Sequence, residues 1–152
     1  MIDKNRTAWF ADWGNPHDQA NIRHIREQVF IKEQHVPVEL EWDELDETCT
    51  HLLATNPAGQ PIATARIHID GSGSTAHIGR MSVLPAYRHQ GIASEMLSML
   101  LGVATTQHCD TVELNAQTTA IPFYELHGFK KVGDEFLDAG IPHFKMLYTL
   151  SK

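Results

Sequence analysis

Cysteine is scarce: Cys49 and Cys109 are the only two in 152 residues. One possible pair does not make a disulfide framework, and no CxxC or zinc-type spacing exists, so both are expected to be free thiols in a reducing compartment. Long apolar runs are also missing. The greasiest stretch, Met96 to Ala104, is interrupted by Ser98 and is far too short to span a bilayer. Met1 to Arg6 lack the apolar segment of a secretory leader, so a cytoplasmic location and no membrane partner are expected. Basic residues are in deficit, with Lys plus Arg 12 against Asp plus Glu 19 and a formal net charge of −7. That balance argues against holding nucleic acid through its phosphates and fits a neutral or cationic partner. Repeats and low-complexity linkers are absent, and the length suits one domain over residues 1–152. A composition of 42% hydrophobic and 20% charged residues is that of a globular chain able to bury its core without staples.

The aromatic-rich segment Thr7 to Trp13 reads as a strand. Asn15-Pro16-His17-Asp18 then reads as a helix start: Asn15 can cap, Pro16 suits the first position, and Asp18 complements the positive end. Ile22, Ile25, Val29 and Phe30 follow at helical spacing, predicting a helix from about Pro16 to Lys32. Val36 to Glu47 contains Pro37 and six acids within nine residues (Glu39, Glu41, Asp43, Glu44, Asp46, Glu47). It is expected to be a solvated loop. Strands are predicted at Thr50–Thr55, Pro61–Asp70 and Thr75–Leu84, the last two joined as a hairpin by Asp70-Gly71-Ser72-Gly73-Ser74. A helix over Gly91–Gln107, a strand over Thr111–Ala116 and a short helix over Ala120–His127, ended by Gly128, come next. Phe129–Val132 and His143–Leu150 are the last strands. One strand–helix–strand crossover flanked by hairpins predicts an α/β (α+β) chain with a mixed, mostly antiparallel sheet of six to seven strands covered by helices.

The most informative segment is Val83-Leu84-Pro85-Ala86-Tyr87-Arg88-His89-Gln90-Gly91-Ile92-Ala93. A strand ends, a polar loop turns, and a helix begins at a glycine. Free N–H groups and the positive dipole end make an anion site there. Gly91 lets a phosphate approach, Ala93 keeps the first turn open, and Arg88 adds positive charge. A pyrophosphate is the natural guest. The same residues also describe an ordinary strand-to-helix turn whose glycine serves geometry alone.

Arg88-x-x-Gly91-x-Ala93, after a strand ending Ser82-Val83-Leu84-Pro85, resembles the acetyl-CoA loop of the GNAT N-acetyltransferases. Asn115-Ala116-Gln117 and Ala120-x-x-Phe123-Tyr124-x-x-x-Gly128-Phe129 look like the second half of that site, although many members carry Asn where Gln117 stands. The likeness extends to the ElaA-like branch through Val29-Phe30, Glu33-Gln34, the acidic segment to Asp46, His51, Gly79-Arg80 and Gly140-Ile141-Pro142-His143. It covers nearly the whole chain. The resemblance implies a sheet whose central parallel pair splays at the cofactor site, with helices on both faces. It implies acetyl-CoA as cosubstrate, with no metal, and acetyl transfer to a small amine by direct attack in a ternary complex. Main-chain groups of Met81 and Val83 would meet the pantetheine arm. Arg88, His89, Gln90, Gly91, Ile92 and Ala93 would meet the pyrophosphate, and Asn115, Gln117 and Phe123 would complete the cofactor site. Family dimers are frequent, so a homodimer is a further expectation.

The resemblance makes Tyr124 the acid for the departing thiolate, because a phenol is protonated at neutral pH. Without it, Tyr124 is a helix residue with a satisfied hydroxyl. Glu113 shares a strand face with Asn115 and is the candidate base, or else an exposed carboxylate. Glu33, His51, Arg80 and His143 are substrate-side candidates. The histidines could equally be scaffold, and Arg80 could hold an internal carboxylate such as Glu33. The acidic run would favour a cationic acceptor. The rival function is an acyl-CoA-binding sensor or interaction module that kept the groove without turnover. No GxxxxGK[ST] loop, nucleophile elbow or zinc-type ligand set is present.

Overall fold

Among the described residues, seven strands join one sheet in the order β1-β2-β3-β4-β5-β7-β6. They are β1 Thr7–Ala11, β2 Thr50–Thr55, β3 Pro61–Ile69, β4 Thr75–Val83, β5 Thr111–Gln117, β6 Lys130–Asp138 and β7 Ile141–Thr149. The computed structural model describes residues 7–150. Met1 to Arg6, on which the leader reading rests, lie outside the described residues. Only β4 and β5 pair in parallel; the other neighbours are antiparallel. The helices are α1 Pro16–Arg26, α2 Val38–Glu41, α3 Ile92–Thr106 and α4 Ile121–Leu126. Among the described residues no helix is long and apolar enough to cross a membrane.

Period-two alternation decides what each sheet face covers. Leu52 packs with Met96, Leu97 and Leu100 of α3, whereas its neighbour Leu53 packs with Ile22 and Ile25 of α1. Helices therefore lie on both faces. Asn15 caps α1 as its sequence suggests, its Oδ1 accepting from the His17 and Asp18 amides at 2.9 and 3.1 Å. Gly128 ends the α4 region at φ +95°, where a Cβ would lie 2.9 Å from the Tyr148 ring.

Four stretches differ most from the sequence reading. β1 stops at Ala11, because Asp12 to Asn15 turn, with the Asn15 amide on the Asp12 carbonyl at 3.0 Å. The first helix runs on to Glu33, but Glu27–Glu33 is a π-helix, a form that concentrates at functional sites. β6 continues to Asp138 rather than ending at Val132. It is a largely exposed edge strand with a bulge between Val132 and Phe136, so no apolar alternation marks it.

The fourth difference is the acidic segment, which is not an open loop. It folds as α2 and a 3-10 turn, Glu44–Glu47, with Glu41 and Asp46 buried. Their partner is Arg26, which lies on the apolar stripe of α1 four residues after Ile22 and is only 1% exposed. Its Nε donates to Glu41 Oε2 at 2.8 Å and its Nη1 to Asp46 Oδ1 at 2.7 Å. Arg66 of β3 grips Asp43 through two bonds of 2.8 Å and also reaches Asp46 Oδ1 at 2.8 Å. Removing one partner from such a buried cluster strands a charge, which costs about 3–5 kcal/mol.

Candidate active site

The β4–β5 ladder runs from Thr75–Thr111 to Ile78–Leu114 and then stops. Beyond it, β4 stays with β3 and β5 with β7, so a wedge opens between the parallel strands. The cause lies in β4. Thr64 pairs with Ser82 but Arg66 pairs with Gly79, so β4 carries one extra residue: a bulge, which bends the strand. Arg80 sits in it at φ +54°, the left-handed region that non-glycine residues rarely occupy. The Leu84 amide donates to Ile62 O across the β3–β4 ladder at 2.9 Å. Backbone groups alternate along a strand, so those of Val83 and Met81 are directed to the wedge.

At the end of β4 the chain makes a short turn, Pro85–Tyr87, and α3 starts after Gly91, the helix cap, at φ +85°. Gly91 is the residue type that this backbone requires. No side chain caps α3, so its first turn offers main-chain donors and the positive dipole end. A cavity of about 530 Å³ sits here, lined by Met81, Val83, Arg88, His89, Gly91, Ile92, Ala93, Phe123 and Tyr124. The structure thus brings together most of the residues assigned to the cofactor from sequence. Gln90 is not among them; its amide turns back to Ala86 O at 3.4 Å. Ser94 lines the cavity and meets His127 Nε2 at 3.0 Å, a pair with no signal in the sequence.

A second cavity, about 390 Å³, lies across the wedge and is lined by Arg80, Asn115, Gln117, Asp138 and His143 among others. Gln34, Met81, Ala120 and Tyr124 line both. The Tyr124 hydroxyl donates to Met81 Sδ at 3.7 Å. Burial pushes the phenol up to about 12, so it keeps its hydrogen at every physiological pH. Phe123 packs edge-on against the Tyr124 ring, centroids 5.0 Å apart.

Several sequence assignments move. Asn115 and Gln117 face the second cavity, not the first, and the Gln117 amide donates to Gln34 Oε1 at 2.7 Å. Arg88 is not a free cation. It is clamped by Glu33 at 2.6 and 2.8 Å, with its Nε on Val83 O at 2.9 Å. The guanidinium bonds hold the Glu33 carboxyl below the usual range and push Arg88 up. Glu33 therefore pairs with Arg88, not Arg80, and lines neither cavity. Arg80 instead meets Glu41 O at 3.0 Å, Asp43 Oδ2 at 3.3 Å and Glu41 Oε2 at 3.2 Å. Burial raises the Glu41 carboxyl despite these cations and lowers the Arg80 guanidinium, while Arg66 lowers Asp43.

Glu113 lines neither cavity; it meets Lys145 at 3.4 Å and His77 at 3.8 Å. It shares a face with Asn115 but lies in the closed part of the β4–β5 pair, opposite His77. His51 is also outside both cavities. It is buried, stacked on Trp13 at 4.7 Å, and its Nε2 donates to Asp46 O at 2.8 Å. Burial lowers its imidazole, which favours the neutral ring. Glu41, Asp43 and Asp46 are paired with arginines, and the exposed Glu39, Glu44 and Glu47 line neither cavity, so the acidic run brings little free charge to the walls of either one. Phe30, Gln34, Glu41 and Asp138 join the second cavity without having been assigned to a site. For Glu41 a clue existed: Arg26 sits on an apolar stripe and must find a carboxylate.

The model of the acetyltransferase (GNAT) domain matches residues 14–150. The chain is 38% identical over 126 residues to the Bacillus subtilis protein named uncharacterized N-acetyltransferase YjcF, covering 82% of this chain and 87% of that one. The crystal structure of Escherichia coli ElaA is similar at a TM-score of 0.82 and 26% identity, covering 97% of this chain and 99% of that one. A GNAT family acetyltransferase from Elizabethkingia anophelis with acetyl-CoA bound shares the fold, at a TM-score of 0.67 and 13% identity, over 97% of this chain and 100% of that one. Together with the wedge, the glycine-started helix and the tyrosine between two cavities, these likenesses make the chain an acyltransferase that belongs to the GNAT acetyltransferase family.

Proposed function

We propose that this acyltransferase moves the acetyl group of acetyl-CoA to the amine of a small acceptor by direct attack in a ternary complex. The observation that carries the reading is the position of the Tyr124 hydroxyl, beside Met81 and on the shared wall of both cavities. The cavity at the start of α3 takes the donor, and the one across the wedge takes the acceptor. A low net charge on the acceptor cavity and the chain's formal charge of −7 favour a small amine over nucleic acid. The cytoplasm, where acetyl-CoA is made and used, suits its two free thiols.

The residues present fit this donor. The α3 amides after Gly91 receive the pyrophosphate, and Gly91 leaves it room. Met81 and Val83 main-chain groups bond the pantetheine arm as an added strand would. A main-chain N–H in the wedge polarises the thioester carbonyl as charge builds on oxygen. Tyr124 donates its hydrogen toward sulfur as the C–S bond breaks. A phenol near 12 gives its proton to a thiolate of ordinary basicity uphill by roughly 5 kcal/mol. The wedge also strips water from the thiolate and raises its basicity, which narrows that gap. Arg88, neutralised by Glu33, holds the loop rather than the phosphate.

Initial rates with acetyl-CoA and a panel of primary amines test the reading. Intersecting double-reciprocal lines and no labelled protein after incubation with radioactive acetyl-CoA are expected. Parallel lines with a stable acetyl-enzyme would overturn direct attack. Tight acetyl-CoA binding with no thiol release for any amine would favour the sensor instead.

A further inference from the structure

A direct attack needs an amine with a free lone pair, and alkyl amines are ammonium ions at neutral pH. Something must take that proton. We propose that His143 does so through Nε2, a role that rests on the acetyltransferase reading. His143 Nδ1 lies 2.7 Å from the Ile141 carbonyl. A carbonyl oxygen only accepts, so Nδ1 carries the hydrogen and the neutral ring keeps its lone pair on Nε2. Among the described residues Nε2 has no hydrogen-bond partner. The ring is stacked on Phe136, centroids 5.8 Å apart, which fixes its plane. In the β5–β7 ladder His143 is opposite Gln117, so both side chains rise on the same face, at the open end of the wedge.

The other charged groups of this cavity are less suited. Arg66 and Arg80 are cations. Glu41 Oε2 already accepts from Arg26 Nε at 2.8 Å and lies 3.2 Å from Arg80 Nε, so a proton there would break ion pairs. Asp138 is exposed at the end of β6. From β5 the ring faces the neutral Gln117; Glu113 is four residues down that strand and held by Lys145. Tyr124 holds its hydrogen for sulfur. An imidazole with a fixed tautomer, an unpaired nitrogen and a cavity wall for a home is the base that remains.

The protons balance. His143 Nε2 takes one hydrogen from the ammonium, and the freed nitrogen pair forms the C–N bond to the thioester carbon. The C–S bond breaks, and a second nitrogen hydrogen reaches sulfur by way of Tyr124. The third stays on the amide, and the imidazolium gives its proton to solvent.

The experiment compares wild type with His143→Gln at neutral pH on two amines of similar size: ethylamine, which is protonated, and 2,2,2-trifluoroethylamine, which is not. The variant should lose on the order of 10²-fold in kcat/KM for ethylamine and little for trifluoroethylamine. Its ethylamine deficit should shrink as pH rises and the amine deprotonates itself. Acetyl-CoA affinity should be unchanged, showing an intact fold. Long-range ¹⁵N–¹H correlation of the wild-type ring should show the Nδ1–H tautomer. An equal loss with both amines, no loss with ethylamine, or an Nε2–H tautomer would each overturn the proposal. A wild-type protein that acetylates neither amine, nor any other, would count against the acetyltransferase reading instead; the tautomer still decides for or against His143.

Discussion

The Tyr124 hydroxyl rests on the Met81 sulfur at 3.7 Å. A thioether is a weak acceptor, so this contact aims the hydroxyl without tying it up. In the proposed reaction a second sulfur would arrive in the wedge and gain negative charge as its bond to the acetyl group breaks, which would make it a far stronger acceptor. The bulge at Arg80 sets Met81 in place, and α4 brings Tyr124 to it within the same core cluster. In the proposed reaction this arrangement would couple the β4 bulge to the chemistry.

Gly91→Glu should abolish acetyl-CoA binding. At φ +85° any side chain is strained by about 1 kcal/mol or more, and this one sets a carboxylate where phosphate must sit. Calorimetric titration with CoA on a variant shown to be folded is the check. Gly91→Ala should weaken binding less, because it adds bulk without charge.

Arg26→Met should lower stability by up to about 3–5 kcal/mol, because buried Glu41 and Asp46 would each lose one of their two cations, Glu41 keeping Arg80 at 3.2 Å and Asp46 keeping Arg66 at 2.8 Å. Chemical denaturation measures this. The same cluster changes the expectation for the acceptor. Neutralising Asp43 and Asp46 should lower stability and affect cationic and neutral amines alike.

Acid should expose Asp43. Its carboxyl is lowered by the Arg66 hydrogen bonds. A depressed carboxyl adds stability above its unfolded value, near ~3.9, and that stability is lost as pH falls through the lower folded value. Asp43→Asn should therefore be less stable than wild type at neutral pH, and the difference should fade below about pH 4. Melting temperatures of both proteins across that range test this.

How much of this was legible in the sequence followed the distance between partners. Gly91 and Tyr124 lie in local patterns, a helix start and a short amphipathic turn, and both stand where their spacing implies. The faces of β5 were also legible, since alternation puts Glu113, Asn115 and Gln117 together. Alternation gives a face but no height. Where the β4–β5 ladder ends decides that Asn115 and Gln117 line the second cavity while Glu113 is left with Lys145. That end is set by a bulge near Arg80, which no periodicity announces. The arginine cluster joins residues 15 to 39 positions apart, so six nearby acids looked like a solvated run. The Arg88–Glu33 clamp spans 55 positions and was hidden for the same reason. His51, matched through the family pattern, is buried against Trp13 and lies outside both cavities, a depth that its place in the sequence does not announce.

The most direct measurement is kcat of Tyr124→Phe with acetyl-CoA and with an acetyl donor whose thiol is more acidic. The change removes one hydroxyl and little volume, so folding and acetyl-CoA affinity should persist. With acetyl-CoA, kcat should fall by roughly 10²-fold or more, the usual worth of a general acid, with little change in KM. The loss should be smaller with the more acidic thiol, which needs less help to leave. Wild-type kcat in the variant, or a loss identical for both donors, would contradict the assignment of Tyr124 to the leaving sulfur.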